Sequence, residues 1–310
     1  MVNYKAIGWF LLIAFGLAWV LFLLPLAFGE PGSAQHQTAA LICWSLAMWA
    51  PGLGAIVATR YAAGDPLRTL NLRRLGERRA YLWAWLLPPV LTAAAILFTW
   101  LLGAGELDPE LSAIRETLPD MGGQSFPAGV FVATQILAAL TLGPLINSIF
   151  ALGEELGWRG FLLPRLLPLG QSRAILLSGA IWGIWHAPAI LQGHNYPTRP
   201  VAGVFLMIVF SVLAGAIFSW LYLRTRSPWA PALAHGSMNA SGGLPLLFFL
   251  PGIDIAIGGT IASAIGWIPL ALFLGWLAWT RRLPVEETGR MEGGRVEGAE
   301  DRIVSRETSG

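Results

Sequence analysis

Apolar residues run through this chain in eight long stretches, near 6–28, 39–59, 80–103, 127–152, 174–192, 201–223, 229–250 and 256–280. Each approaches or exceeds the roughly 20 residues that a helix needs to cross a bilayer. A chain in lipid must satisfy its backbone polarity within each segment, so stretches of this length predict helices. The expected fold class is all-α, a polytopic membrane protein built as a bundle of about eight transmembrane helices. Residues 1–282 are expected to form that bundle. The 283–310 tail, rich in Glu, Arg and Gly, has too little apolar content to fold and is expected to be a disordered cytoplasmic tail. The first stretch follows Lys5, and Ala27-Phe28-Gly29 weakly resembles a cleavage site, but its apolar run is longer than a signal peptide's core, so a retained helix is expected.

Composition supports the membrane reading. The chain is 55% hydrophobic and 12% charged, against about 25% charged in soluble domains. No dense basic face on a soluble module is present, which excludes a nucleic-acid partner. The basic residues follow membrane topology instead. Arg60, Arg68, Arg73, Arg74, Arg78 and Arg79 fill one loop; Arg159, Arg165 and Arg173, then Arg224 and Arg226, then Arg281 and Arg282 fill alternate later ones. By the positive-inside rule these loops are cytoplasmic, as are both termini. The acidic 104–126 loop falls outside. The single Cys43 excludes an internal disulfide and a thiolate metal cluster. The Ala, Gly, Pro and Arg bias, with Lys5 the only lysine, points to a prokaryotic cell membrane.

Against this apolar background, ionisable residues inside the stretches mark chemistry, because charge at membrane depth is costly. Glu154 and Glu155 end the fourth stretch, His186 lies in the fifth, and His235 in the seventh. Adjacent helical residues point roughly 100° apart, so the two glutamates face different ways. Arg159, four residues after Glu155 in the favourable order, is the expected partner of Glu155. Glu154 is then left facing a pocket, on a face shared with Asn147, where it suits a general base. His186 shares a face with Trp182 and the small residues Gly179 and Gly183, which permit close helix approach. His235 and Asn239, four apart, can both donate to one oxygen and so stabilise the oxyanion of a tetrahedral intermediate. Ser227 and Pro228 suit the N-cap and first turn of their helix. Trp158, Trp182 and Trp185 lie nearby and need only pack. His36 and His194 fall in outside loops and are expected to be solvated. Motifs for a zinc-protease helix, a nucleophile elbow and a phosphate-binding loop are absent from the sequence.

Glu154-Glu155-x-x-x-Arg159, then Trp182-x-x-x-His186, then His235-x-x-x-Asn239, across a motif-bearing core of 127–250, resembles the CPBP family: the CAAX-protease and bacteriocin-processing (Abi) intramembrane endopeptidases. Trp182 departs from it, since the family usually has Phe there. The resemblance implies a peptide hydrolase acting on a membrane-anchored peptide or protein near the cytoplasmic face. Glu154, helped by His186, would activate a water, His235 and Asn239 would hold the oxyanion, and Glu155 with Arg159 would keep the helix end in place. The family is often labelled a metalloprotease. Glu154, His186 and His235, with Asn239, are donors of the kind that bind Zn²⁺; the glutamate-water scheme does not need the metal, and both remain open here. Two other readings stand beside this one. A transporter with a Glu/His proton relay favours internal repeats, and the sequence has none with a clear period. A non-catalytic immunity or scaffold protein would use the polar set only to hold helices together.

Overall fold

In the computed structural model, which describes residues 1–117, 120–121, 124–125 and 127–283, the apolar stretches become helices that differ in length and continuity. They are α1 (Tyr4–Leu23), α2 (Ala34–Ala47), α3 (Ala50–Val57), α4 (Arg79–Leu101), α5 (Ser112–Thr117), α6 (Ala128–Leu140), α7 (Leu142–Glu155), α8 (Leu163–Leu166), α9 (Gln171–Trp185), α10 (Ala187–Leu191), α11 (Pro200–Thr225), α12 (Trp229–Ser241) and α13 (Trp267–Trp279). A minimal antiparallel pair, Asp120–Met121 with Gln124–Ser125, precedes α6. The protein is an all-α, multi-pass membrane protein, as its hydrophobic pattern predicts. The tail beyond residue 283 lies outside the described residues.

Span by span, the eight apolar stretches differ in how much of each is one continuous helix among the described residues. Four helical runs are individually long and apolar enough to cross a membrane: Tyr4–Ala27, Ala34–Ala63, Arg79–Leu101 and Pro200–Thr225. A fifth is the pair Ala128–Leu140 and Leu142–Leu169, bent by 48°. The bend falls at Thr141, whose backbone leaves the helical region (φ −121°, ψ −88°). Pro144 follows closely, and its ring cannot accept a straight helix past Leu140. The 174–192 stretch divides at His186 into α9 and α10 for a similar reason: Pro188 offers no N–H to Ile184. The 229–250 stretch stays helical only to Ser241 before a short 3₁₀ turn, Leu244–Phe248. Beyond it the chain extends, with Leu250 N–H donating to Glu106 O and Asp108 N–H to Phe248 O. Residues 256–266 turn irregularly before α13 begins. Hydropathy registers apolar content, and that content is also supplied by buried turns.

The motif-bearing helices form the centre of the bundle. α12 packs chiefly against α7 and α4, α11 against α9, and α1 against α3. Small residues set these approaches. A Cβ on Gly153 would sit 2.6 Å from Met48 O, and one on Gly157 would sit 2.4 Å from Pro51 Cβ, so the glycines beside Glu154 seat this segment directly on the start of α3. Gly179 and Gly183 do the same for α9 on α11: a Cβ at Gly183 would lie 2.5 Å from Ile208 Cα. The close approach expected from this pair is present. Gly183→Val is therefore expected to cost about 1–3 kcal/mol through overpacking. Gly16→Ala, which meets open space, is expected to leave stability unchanged or slightly improved. Thermal unfolding in detergent compares the two; equal midpoints would refute the close-approach argument.

Past Glu155 the chain does not continue as an ordinary α-helix. Leu156–Leu162 form a π-helical turn, a wide-turned geometry often found at functional sites. The following residues lie well inside the bundle: Phe161, Leu162 and Leu163 are fully buried, and Phe161 stacks on Phe10 at 4.9 Å.

Candidate active site

Glu154 occupies the last turn of α7 and is 2% exposed. Its Oε2 accepts a hydrogen bond of 2.6 Å from the Trp182 indole N–H and a longer one of 3.4 Å from Trp158 Nε1. The first is short, as expected for a charge-assisted bond. Oε1 accepts none from the described residues. Asn147, expected on the same face, turns instead to its own helix and donates to Gly143 O at 2.9 Å.

Glu155 faces the other way, as the helical geometry requires. Its Oε1 accepts from Arg159 Nη1 at 2.9 Å, with both side chains fully buried. The same oxygen lies 3.0 Å from His235 Nδ1. Arg159 Nε and Nη2, like Glu155 Oε2, have no hydrogen-bond partner among the described residues. Aromatic faces take the place of donors and acceptors around the guanidinium, with Trp182 at 4.5 Å and Phe218 at 5.3 Å. A desolvated cation–π contact contributes about 2 kcal/mol. A Cβ at Gly215 would come within 2.9 Å of Arg159 Nη2, so a glycine on α11 makes room for this group.

His186 is the hinge residue between α9 and α10. Its backbone N–H bonds to Gly183 O at 3.2 Å, a tightening of the last turn. That leaves the Trp182 carbonyl without its usual amide partner, and His186 Nδ1 takes the place at 2.9 Å. A carbonyl oxygen only accepts, so Nδ1 carries the proton and Nε2 of the neutral ring is bare. The same logic applies to His235. Its Nδ1 donates to a carboxylate, so Nε2 donates only when the ring is an imidazolium. Phe218 stacks on His235 at 5.4 Å with rings inclined by 22°.

Trp182 is the residue that sequence reasoning undervalued. Besides its bond to Glu154 and its contact with Arg159, it packs edge-on to His186 at 5.5 Å and to His235 at 5.3 Å. Glu154, Glu155, Arg159, His186 and His235 thus come together around one indole. Its place three residues after Gly179, on the His186 face, was the available signal. The fourth expected member of the catalytic set, Asn239, lies one turn after His235 on the same helix and is exposed. His36, expected to be solvated, is buried and bonded through Nε2 to Gln192 Oε1 at 2.9 Å. His194 is exposed. The expected cap is shifted: the helix starts at Trp229 with Pro228, not Ser227, at the N-cap position and no side-chain cap bond, while Ser227 Oγ, one residue earlier, accepts from Trp229 N at 3.3 Å.

A zinc site at Glu154, His186 and His235 does not fit this arrangement. Among the described residues no three His, Cys, Asp or Glu side chains converge as metal ligands. Both imidazoles keep Nε2, the nitrogen a metal would take, but Glu154 Oε2 is engaged by two indoles and the Trp182 ring packs edge-on against each imidazole. The chemistry derived below therefore contains no step through a metal.

Fold and site together define a multi-pass α-helical membrane protein with a buried glutamate–histidine centre. Comparison with known proteins narrows this. Residues 131–241 match the family model described as type II CAAX prenyl endopeptidase Rce1-like, which bears out the resemblance carried by the motifs. The chain is also similar to CAAX prenyl protease 2 of Arabidopsis thaliana, with 28% identity over 214 residues. That alignment spans 63% of this chain and 65% of the plant protein's length.

Proposed function

We propose that this protein is an intramembrane endopeptidase. It hydrolyses peptide bonds of membrane-anchored peptides or proteins near the cytoplasmic face, with Glu154 activating the attacking water. The observation that carries this reading is a buried carboxylate with one oxygen anchored by indoles and the other free to accept a proton. Two imidazoles pack on the indole that anchors it, and the segment matches an endopeptidase family.

In the proposed reaction Glu154 Oε1 takes a proton from water, and the oxygen attacks the scissile carbonyl. His186, with Nε2 bare, accepts a hydrogen bond from the same water and orients it. The tetrahedral oxyanion is held by an N–H on His235 Nε2, which requires the imidazolium. Ionised Glu154 and Glu155 face one guanidinium, so a charged His235 brings the buried group to neutrality, the arrangement that burial favours. Asn239, at the exposed end of the same helix, is assigned to the substrate-facing side. Glu154 finally returns its proton to the leaving amine. The 127–250 core supplies every group in this scheme. The arginine-rich loops support a reading with both termini in the cytoplasm and residues 1–282 as one domain.

The test is turnover of an internally quenched peptide anchored in liposomes by a C-terminal farnesylated CAAX-type tail, using purified full-length protein. Cleavage near the anchored end is the expected result. Absence of cleavage, together with proton-coupled uptake by the same vesicles, would favour a transporter instead.

A further inference from the structure

A glutamate at a helix end carries three rotatable bonds, and a carboxylate offers about four lone-pair positions. An efficient base needs one oxygen held in a single direction. In this chain both donors to Glu154 converge on Oε2, and the stronger is the Trp182 N–H at 2.6 Å. The backbone of the same residue provides the carbonyl that fixes the tautomer of His186. One residue thus addresses the two groups that the proposed mechanism places on the water.

We propose that Trp182 is a positioning residue: its indole N–H pins Glu154 through Oε2 and leaves Oε1 as the proton-accepting oxygen, while its carbonyl holds His186 with Nε2 bare. The assignment rests on the hydrolase reading for its catalytic half. The alternative is that the indole only fills volume, as its contacts with Phe218 and both imidazoles also permit.

Trp182→Phe, read against a Trp→Phe change elsewhere, separates these, because it keeps an aromatic wall and the main-chain carbonyl and removes the N–H together with part of the ring volume. Trp220→Phe is the control: Trp220 is fully buried, its N–H has no partner, and it packs against Trp83 and Phe273. In the quenched-peptide assay Trp182→Phe is expected to lower kcat roughly tenfold, the scale of a hydrogen bond to a charged group. KM is expected to stay within about twofold, since the bond orients the base and not the substrate. Trp220→Phe is expected to keep wild-type kcat. Wild-type kcat in Trp182→Phe, or equal losses in both variants, overturns the proposal. An activity-independent measurement accompanies it. Ultraviolet resonance Raman bands sensitive to indole hydrogen bonding are expected to differ between wild type and Glu154→Ala. Identical spectra overturn the anchor whether or not the peptide is cleaved. Altered spectra without wild-type cleavage would count against the hydrolase reading and against Oε1 as base, and would leave the anchoring contact standing.

Discussion

Glu154→Ala is expected to reduce cleavage of the anchored peptide by at least about 100-fold, the lower scale of general-base assistance. Glu154→Gln is the sharper variant. Its amide oxygen still accepts from the Trp182 and Trp158 indoles, so the packing of a side chain that is 2% exposed is retained while the base is lost. Glu154→Gln should keep the wild-type thermal midpoint within a few degrees, because the amide keeps the side chain's volume and both indole contacts, whereas Glu154→Ala is expected to lose stability by leaving the buried Trp182 N–H without its acceptor. Cleavage by Glu154→Gln at the wild-type rate would remove Glu154 from the mechanism. A loss confined to KM would reassign it to substrate binding, since a base contributes to the transition state and not to the ground state.

Arg159→Met should show the largest effect on stability, a loss of about 3–5 kcal/mol. Glu155 is fully buried, and its Oε2 already lacks a partner. Removing the guanidinium would leave that carboxylate with His235 as its only hydrogen-bond donor. The companion double variant Glu155→Gln with Arg159→Met takes both charges out together and is expected to recover most of the loss. A buried ion pair contributes little net stability compared with apolar replacements, but half of one is very costly. Thermal unfolding in detergent reads both. A single variant as stable as wild type would mean that the pair is solvated in the membrane-embedded protein, contrary to the burial described above. The double variant also predicts a separate catalytic defect, because the glutamine amide oxygen still accepts from His235 Nδ1 but no longer supplies the negative charge that favours the imidazolium.

Parts of the centre were legible before any coordinates. Glu155 and Arg159 pair as their i,i+4 spacing requires, and Glu154 consequently turns away from them, because 100° per residue leaves an adjacent side chain no other choice. That Gly179 and Gly183 admit a close helix followed from side-chain size alone; that the helix is α11 did not. Other parts were not legible. The bond from Trp182 to Glu154 joins residues 28 apart in sequence, and the contact of His235 with Glu155 joins residues 80 apart. No periodicity reports which donor crosses from one helix to another. Asn147 and Asn239 were read from shared faces, yet one bonds to its own helix and the other is exposed. A helical face specifies direction but not what stands opposite.

The amino-acid order alone determined the class of the protein and the identity of its costly residues. Apolar stretches in lipid have one economical backbone, and a few ionisable groups among them stand out without any neighbour being known. The tertiary structure decided where the helices break, at Thr141, His186 and Ser241, and which partner each polar group receives. Those outcomes depend on packing between segments remote in sequence, where a glycine's missing Cβ or one indole N–H settles which atoms meet.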